Sequence, residues 1–130
     1  MATLREDAVM ALILIVDDSP TEVHAMKVAL ERHGYQIASA GDGAEAFEKA
    51  RQMKPDLIFM DVVMPVMNGF QATRKLSSDP NTKEIPVVMV TSKDQETDRI
   101  WGMRQGAIDY LVKPVSAERL LAKARAALAS

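Results

Sequence analysis

Four short, mostly apolar runs of this 130-residue chain are each followed by residues whose side chains could take part in phosphoryl chemistry. Asp61 follows the run Leu57–Met60, and an aspartate carboxylate can act as a nucleophile that forms an acyl phosphate. The other three runs are followed by Asp17-Asp18, by Thr91-Ser92 and by Lys113-Pro114. If the ends of these runs meet, the carboxylates repel one another and need a counter-charge, which a hard cation such as Mg²⁺ supplies. A hydroxyl and an ammonium group beside them could then hold phosphoryl oxygens.

Each of these residues also has an ordinary structural interpretation. Asp61 could end a strand in a turn, and the Asp17-Asp18 pair could lie near the positive N-terminus of a helix. Thr91 could be a loop hydroxyl, and Lys113 could be a solvated lysine. Helix caps and turns do not readily explain the whole series at successive strand ends, and we therefore favour the chemical interpretation.

The elements that position these residues alternate between strands and helices. Apolar runs such as Leu12–Val16 are typical of strands that are buried on both faces of a parallel sheet. The predicted strands are Leu12–Val16, Tyr35–Ala40, Leu57–Asp61, Ile85–Val90 and Asp109–Val112. In such a sheet the carboxyl ends of the strands meet at one edge, and ligands bind there at the topological switch point.

Five helices are predicted between and after the strands. The first begins at Ser19-Pro20 with Glu22 completing a capping box, and it closes at His33-Gly34. The others are a second helix with Ala46, Phe47, Ala50 and Met53 facing inward, a third from Asn68-Gly69 to about Leu76, a fourth from Asp94 to Gln105, and a fifth capped by Ser116 with an apolar stripe of Ala117, Leu120, Leu121, Ala124 and Leu128. Strands that alternate with crossover helices predict an α/β fold whose parallel sheet is covered on both faces.

Composition limits the possible functions. The chain is 48% hydrophobic and 26% charged, which is typical of one globular domain. Its net charge of −2 gives no reason to expect nucleic-acid or membrane binding, and the absence of cysteine excludes thiol and Cys-zinc chemistry. No apolar run is long enough to span a bilayer, and residues 1–9 lack the features of a signal peptide. We therefore expect a cytoplasmic protein with an N-terminal extension (1–9) and one domain (10–130).

On these motifs the chain resembles the response-regulator receiver domains of two-component signalling. The resemblance covers residues 10 to about 129 and implies a flavodoxin-like (βα)5 three-layer sandwich with sheet order 2-1-3-4-5. A narrower likeness, carried by residues 91–98, 101–102 and 104–107, is to stand-alone chemotaxis-like regulators, particularly those of type IV pilus twitching motility. The matching motifs are Ile15-Val16-Asp17-Asp18-Ser19, Met60-Asp61-Val62-Val63-Met64-Pro65 with Gly69, Val90-Thr91-Ser92, and Tyr110-Leu111-Val112-Lys113-Pro114.

The resemblance implies a role for each site residue. Asp61 would be the phosphoacceptor for a histidine kinase, and Thr91 and Lys113 would bind phosphoryl oxygens. Tyr110 would turn inward when Thr91 is drawn to the phosphoryl group, remodelling the face made by the fourth helix, fifth strand and fifth helix. The Lys113-Pro114 peptide would be cis. Mg²⁺ would be held by Asp17, Asp18, Asp61 and the backbone carbonyl of Val63.

Several alternatives remain open at this level. The protein could activate a partner or drain phosphoryl groups from the kinase, and it is expected to catalyse only its own phosphotransfer and dephosphorylation. Rival interpretations are a receiver-like interaction module and a haloacid-dehalogenase-like phosphatase, although that class has a second aspartate where this chain has Val63. Val63 and Lys93 offer no base for the hydrolytic water. Trp101 could lie at the core edge or on a partner face beside the predicted apolar face Ile100, Met103 and Ala107, and His24 is expected to be solvated.

Overall fold

The computed structural model describes residues 11–129, which form a five-stranded parallel sheet with helices on both faces. The predicted extension 1–9, with Met10 and Ser130, lies outside the described residues. The strand order is β2-β1-β3-β4-β5, which confirms the predicted flavodoxin-like topology. The elements are β1 Leu12–Val16, α1 Pro20–Glu31, β2 Gln36–Ala40, α2 Gly43–Met53, β3 Leu57–Met60, α3 Gly69–Ser78, β4 Val87–Thr91, α4 Glu96–Gln105, β5 Asp109–Val112 and α5 Ala117–Ala129.

The central strands are apolar on both faces because each face packs against helices. Every residue of β3 and β4 is buried. Ile58 and Met60 face a core completed by α2 and α3, in which Phe47 and Leu76 are buried. Phe59 faces the opposite core, which α1 and α5 complete. The continuous apolar runs of the sequence therefore correspond to strands without a solvent face.

Several boundaries differ from the predictions, including the start of β2 at Gln36 and the end of β3 at Met60, and local hydrogen bonding explains two others. β4 begins at Val87 rather than Ile85, and the intervening Pro86 has no N–H to donate to a sheet. α4 begins at Glu96 rather than Asp94. There the main-chain N–H of Gln95 donates to the Asp98 carboxylate, 3.2 Å away, which places Gln95 outside the helix as its N-cap.

Some predicted apolar faces are wrong at helix ends and on α4. Met53 is exposed, because it is the last residue of α2 and the chain reverses at Lys54 with a φ of 48°. On α4, Ile100 and Met103 are also exposed. That helix instead turns Gly102 toward the sheet, where a Cβ atom would meet the Tyr110 ring at 3.2 Å. The absence of a Cβ atom at position 102 allows this close approach of α4 to the Tyr110 ring.

The C-terminal end of α4 is attached to α3. The Ser77 hydroxyl on α3 lies 2.8 Å from the carbonyl oxygen of Gln105 and 2.6 Å from that of Thr73, so its hydrogen can be shared between them. Gly106 ends α4 with a φ of 119°, and a Cβ atom there would lie 2.0 Å from Ser77 Oγ. This end of α4 is therefore held against α3 by both a hydrogen bond and close packing.

No helix within residues 11–129 has the length and apolar character needed to cross a membrane.

Candidate functional site

The sheet brings the predicted carboxylates together at its carboxyl edge. β1 and β3 are neighbours, and the Asp61 N–H continues their ladder by donating to the Val16 carbonyl over 2.9 Å. The Asp17 N–H donates to the Ala40 carbonyl of β2 over 3.0 Å. One carboxylate oxygen from each of Asp17, Asp18 and Asp61 lies within 4.8 Å of the other two. The predicted meeting of these strand ends is what the structure shows.

Asp61 is nearly buried and is held by its own main-chain surroundings. Its Oδ1 accepts a hydrogen bond of 2.7 Å from the Val62 N–H, and its Oδ2 faces the Lys113 ammonium at 3.4 Å. Gly69 opens α3 against the backbone of this residue, because a Cβ at position 69 would lie 1.9 Å from the Asp61 carbonyl oxygen. The Gly69 N–H also donates to the Val62 carbonyl, 2.9 Å away. The first turn of α3 thus fixes the position of the Asp61 backbone.

The Lys113 ammonium lies among three carboxylates. Its Nζ is 2.7 Å from Asp17 Oδ2, 3.4 Å from Asp61 Oδ2 and 3.5 Å from Glu22 Oε1. Burial alone lowers the pKa of Lys113, but the hydrogen bond to Asp17 and the charges of Asp61, Asp17 and Glu22 outweigh it and raise that pKa above its ordinary value. The cation therefore offsets part of the carboxylate repulsion.

The backbone around Lys113 also joins it to the neighbouring strand. Its main-chain N–H donates to the Thr91 carbonyl over 2.8 Å, and the Lys113–Pro114 peptide is cis, as the resemblance implied.

Glu22 is the site residue that sequence reasoning missed. The predicted capping box is only half formed: Ser19 Oγ accepts from the Glu22 N–H over 3.3 Å, but the Ser19 N–H donates to Asp17 Oδ1 over 2.9 Å. Because Asp17 satisfies the N–H that a capping-box glutamate would bind, the Glu22 side chain extends to Lys113 instead. No local sequence signal indicates this contact, since Glu22 and Lys113 meet only through the fold.

The carboxylate cluster fits Mg²⁺. Ligand oxygens in an octahedral Mg²⁺ site lie about 2.0–2.1 Å from the ion, so neighbouring ligands are about 3 Å apart and opposite ligands about 4 Å apart. The separations of at most 4.8 Å between oxygens of Asp17, Asp18 and Asp61 are close to this range. The donors are hard carboxylate oxygens, which Mg²⁺ prefers. Asp18 is exposed, so water can complete the coordination.

Thr91 and Tyr110 are linked through the main chain of Lys93. The Lys93 N–H donates to Thr91 Oγ1 over 3.3 Å, and the Tyr110 hydroxyl donates to the Lys93 carbonyl over 2.9 Å. The Tyr110 ring lies inward, and Thr91 is fully buried. Burial raises the pKa of Tyr110 to about 12, with further contributions from the charges of Asp98, Asp61 and Asp94. This structure thus has the ring in the inward position that the resemblance assigns to the phosphorylated state, and the turn between an outward and an inward position stays a prediction.

The loop after Asp61 presents apolar side chains to solvent. Met67 donates its N–H to the Pro65 carbonyl over 2.7 Å, which closes a γ-turn around Val66. Val66 has a φ of 68° and is 84% exposed; such a φ is strained for a β-branched residue. Val63, two residues after Asp61, is also exposed. Its side chain cannot hydrogen-bond to a water beside Asp61.

The structure decides between the two interpretations of Trp101 in favour of exposure. Its side chain on α4 is 48% exposed, and Ile100 on the same helix and Val112 on β5 are also exposed. His24 is exposed on α1, as expected, and it is not part of the carboxylate cluster.

Comparisons with known proteins agree on one family. The family model described as the response regulator receiver domain matches residues 13–125. The chain is 58% identical over 120 residues to protein PilH of Pseudomonas aeruginosa, covering 92% of this chain and 99% of that protein. Other curated relatives are longer, and the chain spans 25% of one and 49% of another.

Solved structures give the same result. The chemotaxis response regulator CheY4 of Vibrio cholerae matches with a TM-score of 0.86 and 35% identity, over 92% of this chain and 99% of that chain. The receiver domain of the sensor histidine kinase PA1611 of Pseudomonas aeruginosa matches with a TM-score of 0.87 and 29% identity, over 93% and 99% of the two chains. A magnesium ion is coordinated in the active-site cleft of that receiver domain.

Proposed function

Because this chain belongs to the response-regulator receiver family, we propose that it is a phosphorylation-controlled switch in which Asp61 accepts a phosphoryl group from a histidine kinase. The observation that carries the proposal is the arrangement at the carboxyl edge of the sheet. A nearly buried aspartate lies beside two further carboxylates and one ammonium group. This is the set of charges that phosphoryl transfer to a carboxylate requires.

The side chains support an in-line transfer to Asp61. A carboxylate oxygen of Asp61 forms a bond to phosphorus while the P–N bond to the donor histidine breaks, and the leaving imidazole keeps the electron pair and gains a proton. The Lys113 ammonium is 3.4 Å from the Asp61 carboxylate and offsets charge on the phosphoryl oxygens. The Thr91 hydroxyl, one strand away, is the proposed ligand of another phosphoryl oxygen.

Asp17, Asp18, Asp61 and the backbone carbonyl of Val63 are the proposed protein ligands of Mg²⁺. The fit of the three carboxylates and the ion in the PA1611 receiver domain support this assignment. When bound, Mg²⁺ neutralises charge on the phosphoryl oxygens and helps to orient them. Asp17 has a second task, because it also holds Lys113 over 2.7 Å.

The response is proposed to pass from Thr91 to α4 through Lys93. Moving the Thr91 hydroxyl toward a phosphoryl oxygen would weaken its hydrogen bond with the Lys93 N–H. Because the Lys93 carbonyl accepts from Tyr110, the same loop couples Thr91 to Tyr110 and to the start of α4. The exposed Trp101 lies on the surface that this change would alter, which makes the α4–β5–α5 face the proposed partner face.

A role in pilus-based motility is the finer part of the proposal. It is supported by the 58% identity to PilH over 99% of that protein and by the chemotaxis regulator among the structural neighbours. The phosphodonor would then be a chemotaxis-type histidine kinase. The protein would act by binding a partner or by draining phosphoryl groups from the kinase, and not as an enzyme on separate substrates.

Phosphorylation by a small donor tests the proposal directly. The wild type, incubated with acetyl phosphate and Mg²⁺, is expected to gain the mass of one phosphoryl group, and chelation of Mg²⁺ should prevent the gain. Asp61→Asn keeps the shape of the side chain without its nucleophilic charge and should show no gain. A full gain in Asp61→Asn would refute Asp61 as the acceptor, and no gain in the wild type would favour a receiver-like interaction module. Profiling against the histidine kinases of the host would then identify the donor.

A further inference from the structure

Glu22 is a third carboxylate on the Lys113 ammonium, and it differs from the other two in exposure. Its Oε1 is 3.5 Å from Lys113 Nζ, on the first turn of α1. The Glu22 side chain is 47% exposed, whereas those of Asp17 and Asp61 are 3% and 10% exposed. Glu22 therefore contacts the ammonium from a more solvent-exposed position than the two buried carboxylates do.

We propose that Glu22 is a positioning residue that acts through Lys113 and weakens phosphoryl binding at Asp61. This inference rests on the proposed function, because it requires that Asp61 carries the phosphoryl group and that Lys113 binds it. Two separate effects of the Glu22 charge act in the same direction.

The first effect is competition for Lys113. An ammonium group has three N–H donors, and three carboxylates already surround this one. Asp17 holds the Lys113 ammonium most firmly, at 2.7 Å. When the ammonium moves toward a phosphoryl oxygen, it therefore gives up its longest contact, which is the one with Glu22 at 3.5 Å. The attraction between Glu22 and Lys113 is then reduced, which favours the arrangement without a phosphoryl group.

The second effect is direct repulsion. A phosphoryl group adds negative charge at Asp61, and Glu22 is a negative group that contacts the same ammonium as Asp61 does. Glu22 is not among the three carboxylates whose oxygens cluster for a cation, so a bound cation would offset its charge less than theirs. Removing the Glu22 charge leaves Asp17 and Asp61 beside Lys113, and Lys113 stays protonated at neutral pH.

The test compares beryllofluoride affinity in matched variants at saturating Mg²⁺, measured by fluorine NMR of the bound anion. Glu22→Gln removes the charge and keeps the side-chain length. Glu45→Gln is the matched control: Glu45 has the same position in α2, its N–H is capped by Asp42, its side chain is 45% exposed, and its lysine partner is Lys49 rather than Lys113.

At low ionic strength Glu22→Gln is expected to bind beryllofluoride about threefold more tightly, the factor for two unit charges ~7 Å apart in water. This is the largest separation of the Glu22 and Asp61 oxygens that their 3.5 Å and 3.4 Å contacts with Lys113 Nζ allow. The difference in affinity between Glu22→Gln and the wild type should shrink in high salt, where charges are screened over a few ångströms. If Glu22 had only a structural role, this difference would not depend on salt. Glu22→Asp keeps the charge and should stay close to the wild type, as should Glu45→Gln.

Unchanged or weaker binding by Glu22→Gln, in a wild type that does bind, overturns this inference and leaves the proposed function intact. An equal gain in Glu45→Gln overturns it as well, because the effect would then reflect net charge alone. Absence of beryllofluoride binding in the wild type overturns the proposed function and this inference together.

Discussion

Replacement of Asp18 by asparagine is expected to stabilise the metal-free protein, whereas the same replacement of the adjacent Asp17 should destabilise it. Both residues belong to the carboxylate cluster, but their partners differ. Asp17 is buried and holds Lys113 at 2.7 Å, while Asp18 is exposed and is not among the carboxylates that pair with Lys113. Removing the Asp18 charge therefore relieves repulsion without breaking an ion pair.

The magnitudes follow from the separations at the site. Two unit charges 4.8 Å apart in water interact with about 0.9 kcal/mol. Asp18 has two such carboxylate neighbours and one nearby ammonium, so its removal should stabilise the protein by about 1 kcal/mol, or about 3 °C in Tm. Breaking the buried Asp17–Lys113 pair costs about 3–5 kcal/mol, and relief of repulsion offsets only about 2 kcal/mol of it. Asp17→Asn should therefore destabilise the protein by about 1–3 kcal/mol.

Thermal unfolding followed by circular dichroism, with EDTA and with Mg²⁺, checks both signs. In Mg²⁺ the wild type should gain stability because the ion binds the folded state. Asp18→Asn should gain less, since it lacks one of the proposed ligands, so its advantage in EDTA should shrink or reverse in Mg²⁺. Equal shifts of the same sign for Asp17→Asn and Asp18→Asn in EDTA would refute the reasoning, because the pairing with Lys113 would then not decide the outcome.

Three further predictions concern the switch and the backbone of the site. Thr91→Ala should still accept a phosphoryl group, but its Trp101 fluorescence should change much less with beryllofluoride than that of the wild type; an equal change would exclude coupling through Thr91. Subtraction of the ultraviolet titration curve of Tyr110→Phe from that of the wild type should leave one phenol with a pKa of about 12. Because folding raises this pKa, the contribution of Tyr110 to the free energy of unfolding is full below about pH 10 and is lost between about pH 10 and 12. Gly69→Ala should destabilise by about 3 kcal/mol or more, since its Cβ would lie 1.9 Å from the main-chain oxygen of Asp61, whereas Gly41→Ala, whose Cβ would meet its nearest neighbour, the Glu45 side chain, at 3.7 Å, should be tolerated in the same denaturation assay.

The sequence was sufficient for the sheet and for the edge at which the site lies. Strands such as Leu57–Met60 are apolar on both faces, and that pattern requires helices on both sides of a parallel sheet. Once β1 and β3 are neighbours, Asp17 and Asp61 must lie side by side, because each directly follows its strand. The positions of these groups therefore follow from topology alone.

The parts that could not be predicted depend on contacts between distant residues. Glu22 has a standard capping-box position, and only the bond from Ser19 to Asp17 frees its side chain to reach Lys113. On α4, the helical pattern indicated an inward Ile100, but Gly102, which has no Cβ atom, packs against the Tyr110 ring instead. A helix pattern shows which residues share a face, but the neighbouring element decides which face is buried.

Because α4 is attached to α3 at its C-terminal end, a displacement of its N-terminal end tilts the helix about that attachment. Ser77 and Gly106 hold that end against α3, while the other end follows the loop that contains Lys93. From Gln105 back to Glu96 the arm is about 14 Å long at ~1.5 Å per residue. A displacement of ~1 Å at the N-terminal end then corresponds to a tilt of about 4°. Trp101, ~6 Å from the attached end, moves by about 0.4 Å. In the proposed switch the largest displacement therefore occurs at the first turn of α4, and a partner that binds there senses it best.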